Sequence, residues 1–328
     1  MQRVDIPKLY EALCQGDRVA LGRAITLVES NLEQHRSLAA ELIGRCVGSA
    51  KSSQRIGITG VPGVGKSTFI ETLGVALADG GRHVAVLAVD PSSDIGKGSI
   101  LGDKTRMERL SAHPNAFIRP TPSSGSLGGV ARRTKETITL CEAAGYDTIL
   151  IETVGVGQSE TAVHAMVDMF ILLVLAAAGD ELQGIKRGIM EMADLVIINK
   201  DDGDNATQTA IAKASYHHAL HLFPAKPSGW TVPVLSCSSI NAQGFEAIAS
   251  KMDEYFRQIV QNGYLEEHRK EQNNQWLDKA IEEELMHSLM QQTQVKNQLT
   301  ELRTLVNAGK MSPFDAAQQL VKTWNALR

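Results

Sequence analysis

Cysteine is scarce, and its four copies, Cys14, Cys46, Cys141 and Cys237, stand far apart with no CxxC pair. That excludes a disulfide scaffold or a Cys-based zinc framework and leaves isolated, buried thiols. Long apolar runs are missing too. The longest, Met169 to Ala178, reaches about ten residues where a membrane helix needs about twenty. The opening Met1-Gln-Arg-Val-Asp-Ile-Pro7 has no apolar core of a secretion signal, so the expected compartment is the cytoplasm. No strong basic block occurs, and 33 basic residues face 37 acidic ones for a net charge of −4. A nucleic-acid surface is therefore not expected. Internal repeats and low-complexity tracts are also absent. What remains is the composition of an ordinary soluble protein, 43% hydrophobic and 21% charged, with 328 residues to build one sizeable domain and smaller additions.

Three regions emerge. Residues 1–50 read as a helical region, with apolar positions at Leu9, Ala12 and Leu13, then Leu21, Ala24, Ile25 and Val28, then Leu38, Leu42 and Ile43. Residues 51–260 alternate apolar runs with helical patterns. The runs are Arg55–Thr59, His83–Val89, Thr148–Ile151, Met169–Leu175, Leu195–Ile198 and Val232–Leu235. Such alternation predicts an α/β fold, a mostly parallel sheet with helices on both faces, whose ligand lies at the carboxyl ends of the strands. Residues 261–328 turn rich in Gln, Glu and Asn. Leu277, Ile281, Leu285 and Leu289 recur every four residues, and Leu299, Leu302 and Val306 form a second stripe. These are amphipathic helices that pack either on the sheet domain or on a second copy of the chain. Asn307-Ala-Gly309 marks a turn, and Ser312-Pro313 starts the last helix as N-cap and N1.

The chemistry starts at Gly60, Val61, Pro62, Gly63, Val64, Gly65, Lys66, Ser67 and Thr68. Gly, four residues, then Gly-Lys-Ser is the spacing whose backbone N–H groups cradle nucleotide phosphates. A strand-like run, Arg55–Thr59, enters it. An amphipathic helix from Lys66 to Ala78 leaves it and points its unpaired donors at the anion. Lys66 is expected at the terminal phosphates and Ser67 at Mg²⁺.

A second signal sits at the end of the run Leu195–Ile198, in Asn199, Lys200 and Asp202. Placed about 130 residues after a phosphate loop, Asn-Lys-x-Asp reads guanine. The Asp202 carboxylate accepts from the base N1–H and exocyclic amine. Adenine lacks both donors and would leave a charge unpaired. Asn199 braces neighbouring loops, and the Lys200 stem lies along the base. Ser238, Ser239 and Ile240, after the next run, are placed to offer backbone N–H groups to the guanine O6.

Two strand-end carboxylates, Asp90 and Glu152, suit Mg²⁺, although either one could simply cap the next helix. Asp94 and Asp103 are further candidates near the metal. Glu152-Thr-Val-Gly155 stands where GTPases carry Asp-x-x-Gly, with the Gly155 N–H toward the γ-phosphate. Residues 90–106, 122–129 and 179–186 are Gly- or Ser-rich and polar, as expected of segments held by the γ-phosphate or of plain surface loops. The place just after Asp-x-x-Gly, often Gln, holds Val156, and Gln158 lies two further on. Slow intrinsic hydrolysis accelerated by a partner is therefore expected. Lys186 and Arg106 are both candidates for transition-state charge. His217 and His221 have metal-binding spacing, but with no grouped carboxylate or thiol they read as a solvated helix face.

These motifs, together with Val89-Asp-Pro-Ser-Ser93, Gly98-Ser-Ile-Leu-Gly-Asp-Lys-Thr-Arg-Met107, Glu152-Thr-Val-Gly-Val-Gly-Gln-Ser-Glu160 and Leu182-Gln-Gly-Ile-Lys186, resemble the MeaB/ArgK family over nearly the whole chain. The resemblance implies a P-loop GTPase of the SIMIBI class that acts as a chaperone for adenosylcobalamin-dependent methylmalonyl-CoA mutase, gating cofactor loading and protecting or rescuing the enzyme. It implies a homodimer through the C-terminal helical arm. It also implies Mg²⁺ among Ser67, Asp90, Asp103 and Glu152, catalytic roles around Lys66, Glu152, Gln158 and Lys186, and an additional switch at residues 183–186. Asp94-Ile-Gly-Lys97 departs from the Thr-Gly-Gly-like run of relatives. The other readings are a P-loop kinase or transport-related ATPase, disfavoured by Asp202, and a nickel-type metallochaperone, disfavoured by the missing His/Cys cluster.

Overall fold

The computed structural model describes residues 4–49, 51–89, 107–120, 127–153, 159–176 and 187–327. The helical start of the chain is three helices, α1 (Ile6–Cys14), α2 (Arg18–Glu29) and α3 (Glu33–Val47). Short acidic side chains begin the first two. Asp5 accepts from the Lys8 N–H at 3.2 Å, and Asp17 accepts from Val19 at 2.7 Å and Ala20 at 3.2 Å, satisfying donors that a helix start leaves unpaired. Gly16 takes the left-handed conformation, with φ 81°, that turns α1 into α2.

The centre is a seven-stranded parallel sheet of β1 (Gln54–Gly60), β2 (Val84–Val89), β3 (Ala116–Pro120), β4 (Thr148–Thr153), β5 (Met169–Leu175), β6 (Leu195–Asn199) and β7 (Val234–Ser236). Their order is β3-β2-β4-β1-β5-β6-β7. β1 registers on β4 at Ile56↔Leu150 and on β5 at Ile56↔Met169. The chain builds one side of β1 through β4, then crosses to build the other from β5 onward. β1 is thus the switch point, where a crevice opens at the strands' carboxyl ends. β4, β5 and β6 are buried almost throughout, with apolar stretches Ile149–Ile151, Met169–Leu175 and Leu195–Ile198, because both faces are covered.

Six strands follow the apolar runs, to within two residues at each start. β3 has no counterpart among the expected runs. It is five residues long, pairs only with β2 and ends in Pro120, the profile of an edge strand, where a missing N–H does no harm.

Helices α4 (Lys66–Asp79), α5 (Glu108–Ala112), α6 (Leu127–Ala143), α7 (Ser159–His164), α8 (Arg187–Met192), α9 (Ala206–Leu220) and α10 (Phe245–Gln261) alternate with the strands. α4 and α10 bury Phe69, Leu73, Phe245, Ile248, Met252 and Tyr255 against Ile56, Ile58 and Ile171. At the strands' amino ends, Arg55 is buried with its Nε 2.7 Å from Glu142 on α6. The Asp168 carboxylate accepts from the Arg55 N–H at 2.9 Å. These buried charges are paired, as burial requires.

The chain forms two compact units, Met1–Glu266 and Glu267–Arg328. The long helix α11 (Tyr264–Gln291) begins in the first. In the second, α12 (Thr293–Asn307) and α13 (Pro313–Ala326) form a hairpin whose core is Leu289, Val295, Leu302, Ala316 and Leu320. Gly309, with φ 67°, makes the turn, and Ser312 caps α13 by accepting from the Asp315 N–H at 3.1 Å. Leu289 is buried, while Leu277, Ile281 and Leu285 of the same stripe are 59%, 48% and 49% exposed. Among the described residues no helix is long and apolar enough to cross a membrane.

Candidate functional site

β1 ends at Gly60, where an added Cβ would lie 2.5 Å from the Leu173 carbonyl oxygen, so no larger residue fits. Gly63 and Gly65 follow with φ 80° and 92°. Their left-handed turns wrap the loop and deliver the chain into α4 at Lys66, whose preceding residue Gly65 is the N-cap. The free N–H groups of that first turn and the positive end of the helix face the loop interior, a ready-made anion seat. The Lys66 ammonium donates to the Gly60 carbonyl at 2.7 Å and the Val61 carbonyl at 3.4 Å. Burial lowers its pKa from the ordinary lysine value, and the Glu152 and Glu160 carboxylates pull it back up. A cation held partly out of water in this way gains strongly from an added anion.

Ser67 and Glu152 meet across the loop. The Ser67 hydroxyl donates to Glu152 Oε1 at 3.1 Å, joining the start of α4 to the carboxyl end of β4. One residue further along β4, the Thr153 hydroxyl donates to Thr59 Oγ1 at 2.9 Å, tying the strand ends that carry the two loops. Asp90, Asp103, Gly155, Gln158 and Lys186 lie outside the described residues, as do Asp94, Arg106 and Val156. Thr68, beside Ser67 in the first turn of α4, accepts through its carbonyl from the Thr72 hydroxyl at 3.0 Å.

The Asn-Lys-x-Asp run closes the other side. Asn199, buried at the end of β6, donates through Nδ2 to the Val64 carbonyl at 2.8 Å. Its Oδ1 accepts from the Ser239 hydroxyl at 2.8 Å and from Cys237 Sγ at 3.5 Å. Lys200 has φ 63° and donates to the Gly63 carbonyl at 2.9 Å. A non-glycine residue in that conformation is uncommon and marks a local constraint. The Asp202 carboxylate accepts from the Ser238 hydroxyl at 2.7 Å. Ile240 is exposed at the tip of the turn beyond β7. One amide, Asn199, therefore links the phosphate loop to both segments of the second motif.

Sequence spacing identifies these residues but not two of their supports. The Thr72 hydroxyl lies 2.9 Å from the Ser239 carbonyl, pinning the turn beyond β7 to α4. Its signal in the sequence is a polar residue among the buried Phe69, Ile70 and Leu73. Cys237 is the other. Burial drives its thiol up to about 12, and it serves as packing and a weak donor to Asn199. His217 and His221 stack edge to face with ring centroids 4.5 Å apart. Among the described residues no group of three His, Cys, Asp or Glu side chains could hold a metal.

A parallel sheet with the glycine loop at the carboxyl end of its central strand defines a P-loop nucleoside triphosphatase. A probable GTPase of Mycobacterium tuberculosis (strain ATCC 25618 / H37Rv) is 47% identical over 317 residues, covering 97% of this chain and 94% of that one. GTPase ArgK of Escherichia coli (strain K12) is 46% identical over 308 residues, with coverage of 94% and 93%. The mitochondrial methylmalonic aciduria type A homolog of Mus musculus is 44% identical over 331 residues, covering 98% of this chain and 80% of that protein. A solved structure of a LAO/AO transport system kinase superposes with a TM-score of 0.75 at 38% identity, covering 99% of this chain and 100% of that one. The family described as Methylmalonyl Co-A mutase-associated GTPase MeaB matches residues 21–294. The chain belongs to this MeaB family of P-loop GTPases.

Proposed function

We propose that this GTPase is a switch for an adenosylcobalamin-dependent methylmalonyl-CoA mutase, gating cofactor loading and protecting or reactivating the enzyme. The observation that carries the reading is the family match over residues 21–294, whose description couples the GTPase to that mutase. The mouse relative, a methylmalonic aciduria type A homolog, supports the same client.

The site supports the roles as follows. Gly60 to Thr68 wrap the β- and γ-phosphates through backbone N–H groups, and Lys66 exchanges its bonds to the Gly60 and Val61 carbonyls for phosphate oxygens. Asn199 and Lys200 hold the loop, and Asp202 accepts from guanine while Ser238, Ser239 and Ile240 border the base. Mg²⁺ fits the donor set: a hydroxyl and a carboxylate oxygen, Ser67 and Glu152, already converge at 3.1 Å, and one or two carboxylates plus phosphate and water suit this ion. Asp90 and Asp103 complete the proposed ligands, and bound Mg²⁺ supplies charge neutralisation on the phosphates. Gly155 meets the γ-phosphate, and Gln158 and Lys186 are the proposed accelerating groups, with Val156 in place of the usual Gln making unaided turnover slow. The exposed Leu277, Ile281 and Leu285 stripe supports a homodimer through the C-terminal helices. The proposed compartment is the cytoplasm. No nucleic-acid or membrane partner is proposed.

The test is GTP turnover with and without purified methylmalonyl-CoA mutase. Acceleration together with a stable complex is expected. Unchanged turnover and no complex would remove the mutase while leaving the GTPase intact. The name of the solved transport system kinase favours a second reading, a P-loop kinase or transport-related ATPase, which predicts that ATP displaces GTP at equal concentration.

A further inference from the structure

The central ladder of the sheet stops short of the site. β1 and β4 are last in register at Ile58↔Glu152. Past that pair β1 stays with β5, at Thr59↔Leu172 and Gly60↔Leu173. β4 stays with β2, at Val89↔Thr153. The two halves of the sheet therefore part here. One side of the parting carries the phosphate loop, the other carries Glu152, and backbone pairing no longer holds either against the other.

A side-chain bond spans the parting. The Thr153 hydroxyl donates to Thr59 Oγ1 at 2.9 Å, with the Ile58 carbonyl as a longer alternative at 3.4 Å. Thr59 is 1% exposed and Thr153 is 0% exposed. Valine has nearly the same shape and suits a buried strand equally well, so packing does not ask for a hydroxyl at either place. A buried hydroxyl recovers its lost hydration only through such a bond.

Successive residues of a strand point to opposite faces of the sheet. Thr153 is thus fixed on one face and Glu152 on the other, where it accepts from Ser67 at 3.1 Å. A turn of the β4 end about its own axis would swing Glu152 away from Ser67. The bond on the far face opposes that turn.

We infer that Thr59 and Thr153 are positioning residues for the divalent cation: their hydroxyl pair closes the parting and keeps the Ser67 hydroxyl and the Glu152 carboxylate together as a preformed pair of ligands. Neither threonine is itself a proposed ligand. Supports one step behind a metal ligand set its orientation and with it the affinity for the ion. This role rests on the Mg²⁺ reading of Ser67 and Glu152 given above.

Calorimetric titration of the full chain with GDP, in EDTA and over a series of Mg²⁺ concentrations, tests it. In the parent protein Mg²⁺ should tighten GDP binding. Thr59→Val combined with Thr153→Val removes both hydroxyls and leaves no group unpaired, so the melting temperature should stay nearly unchanged. The Mg²⁺ concentration needed to tighten GDP should rise about tenfold, with GDP affinity in EDTA unaltered. Thr59→Val alone leaves Thr153 the Ile58 carbonyl and should give a smaller shift in the same direction. Thr153→Ser keeps the donor and should match the parent. An unchanged Mg²⁺ requirement in the double variant overturns the role. So does an equal loss of GDP affinity with and without Mg²⁺, which would make the pair a plain support of the fold. A parent protein whose GDP affinity ignores Mg²⁺ removes the metal reading itself, and the role with it.

Discussion

Asn199 shows how much one side chain coordinates. It reaches the phosphate loop through Nδ2 and the segment beyond β7 through Oδ1, and all its partners are buried or nearly so. Asn199→Ala leaves the Val64 carbonyl and the Ser239 hydroxyl unpaired, a cost of about 1–3 kcal/mol in stability, with a larger loss in nucleotide affinity because both loops come adrift. Urea unfolding and GDP titration read the two effects separately. Asp202 acts on selectivity instead. Asp202→Asn should weaken GTP binding about a hundredfold or more and shift preference toward xanthosine triphosphate, whose ring offers an acceptor where guanine has an amine. A competition series with GTP, XTP and ATP measures it; an unchanged ranking would mean that Asp202 does not read the base. The identities of these residues were legible from spacing alone. Their bonds were not, since Asn199 and the carbonyl it holds are far apart in sequence and no periodicity names which oxygen receives a hydrogen.

Among elements, α4 does two jobs. Its start builds the anion seat, and its buried face carries Thr72 to the Ser239 carbonyl. Thr72→Val preserves shape and removes the donor. The expected result is about 1 kcal/mol of lost stability and severalfold weaker GDP binding with kcat nearly unchanged, read from denaturation and a KM-against-kcat split. α11 carries the other element-scale prediction. Ile281 sits mid-stripe and is half exposed, so Ile281→Glu should convert a dimer to a monomer in light scattering while sparing basal GTP turnover. A monomeric parent protein would remove the dimer proposal. Elements were legible where one physical rule dominated. β4, β5 and β6 announce themselves because strands covered on both faces carry unbroken apolar stretches. β3 escaped because Ala-Phe-Ile-Arg-Pro obeys edge rules, where polarity and proline are tolerated.

The molecule as a whole should be sensitive to alkali. Burial lifts Cys46 to about 11 and Cys237 to about 12 from the ordinary 9.0, and Tyr146 to about 12 from 10.0. In the folded state these groups keep protons that the unfolded chain releases. Their contribution is complete below pH 9.0 and is lost as pH rises through the folded values. Lys66 runs the other way: its lowered pKa costs the folded state a proton that the unfolded chain keeps, and that cost fades as pH climbs toward 10.5. Three groups outweigh one, so the urea midpoint should fall from about pH 9 upward. A flat profile would show that these thiols and this phenol are not buried as described.

The strand order has a kinetic consequence. β1 and β2 do not touch each other; each pairs with β4, as Gln54↔Thr148 and Val84↔Thr148 show. The first two strands to leave the ribosome must both wait for β4, which starts almost a hundred residues after β1, before either gains its inner neighbour. Closing such distant pairs costs chain entropy before any contact repays it, so refolding should be slow. Until residue 148 emerges, the nascent chain carries two apolar strands with open edges, the stretch in which a holdase would bind it best.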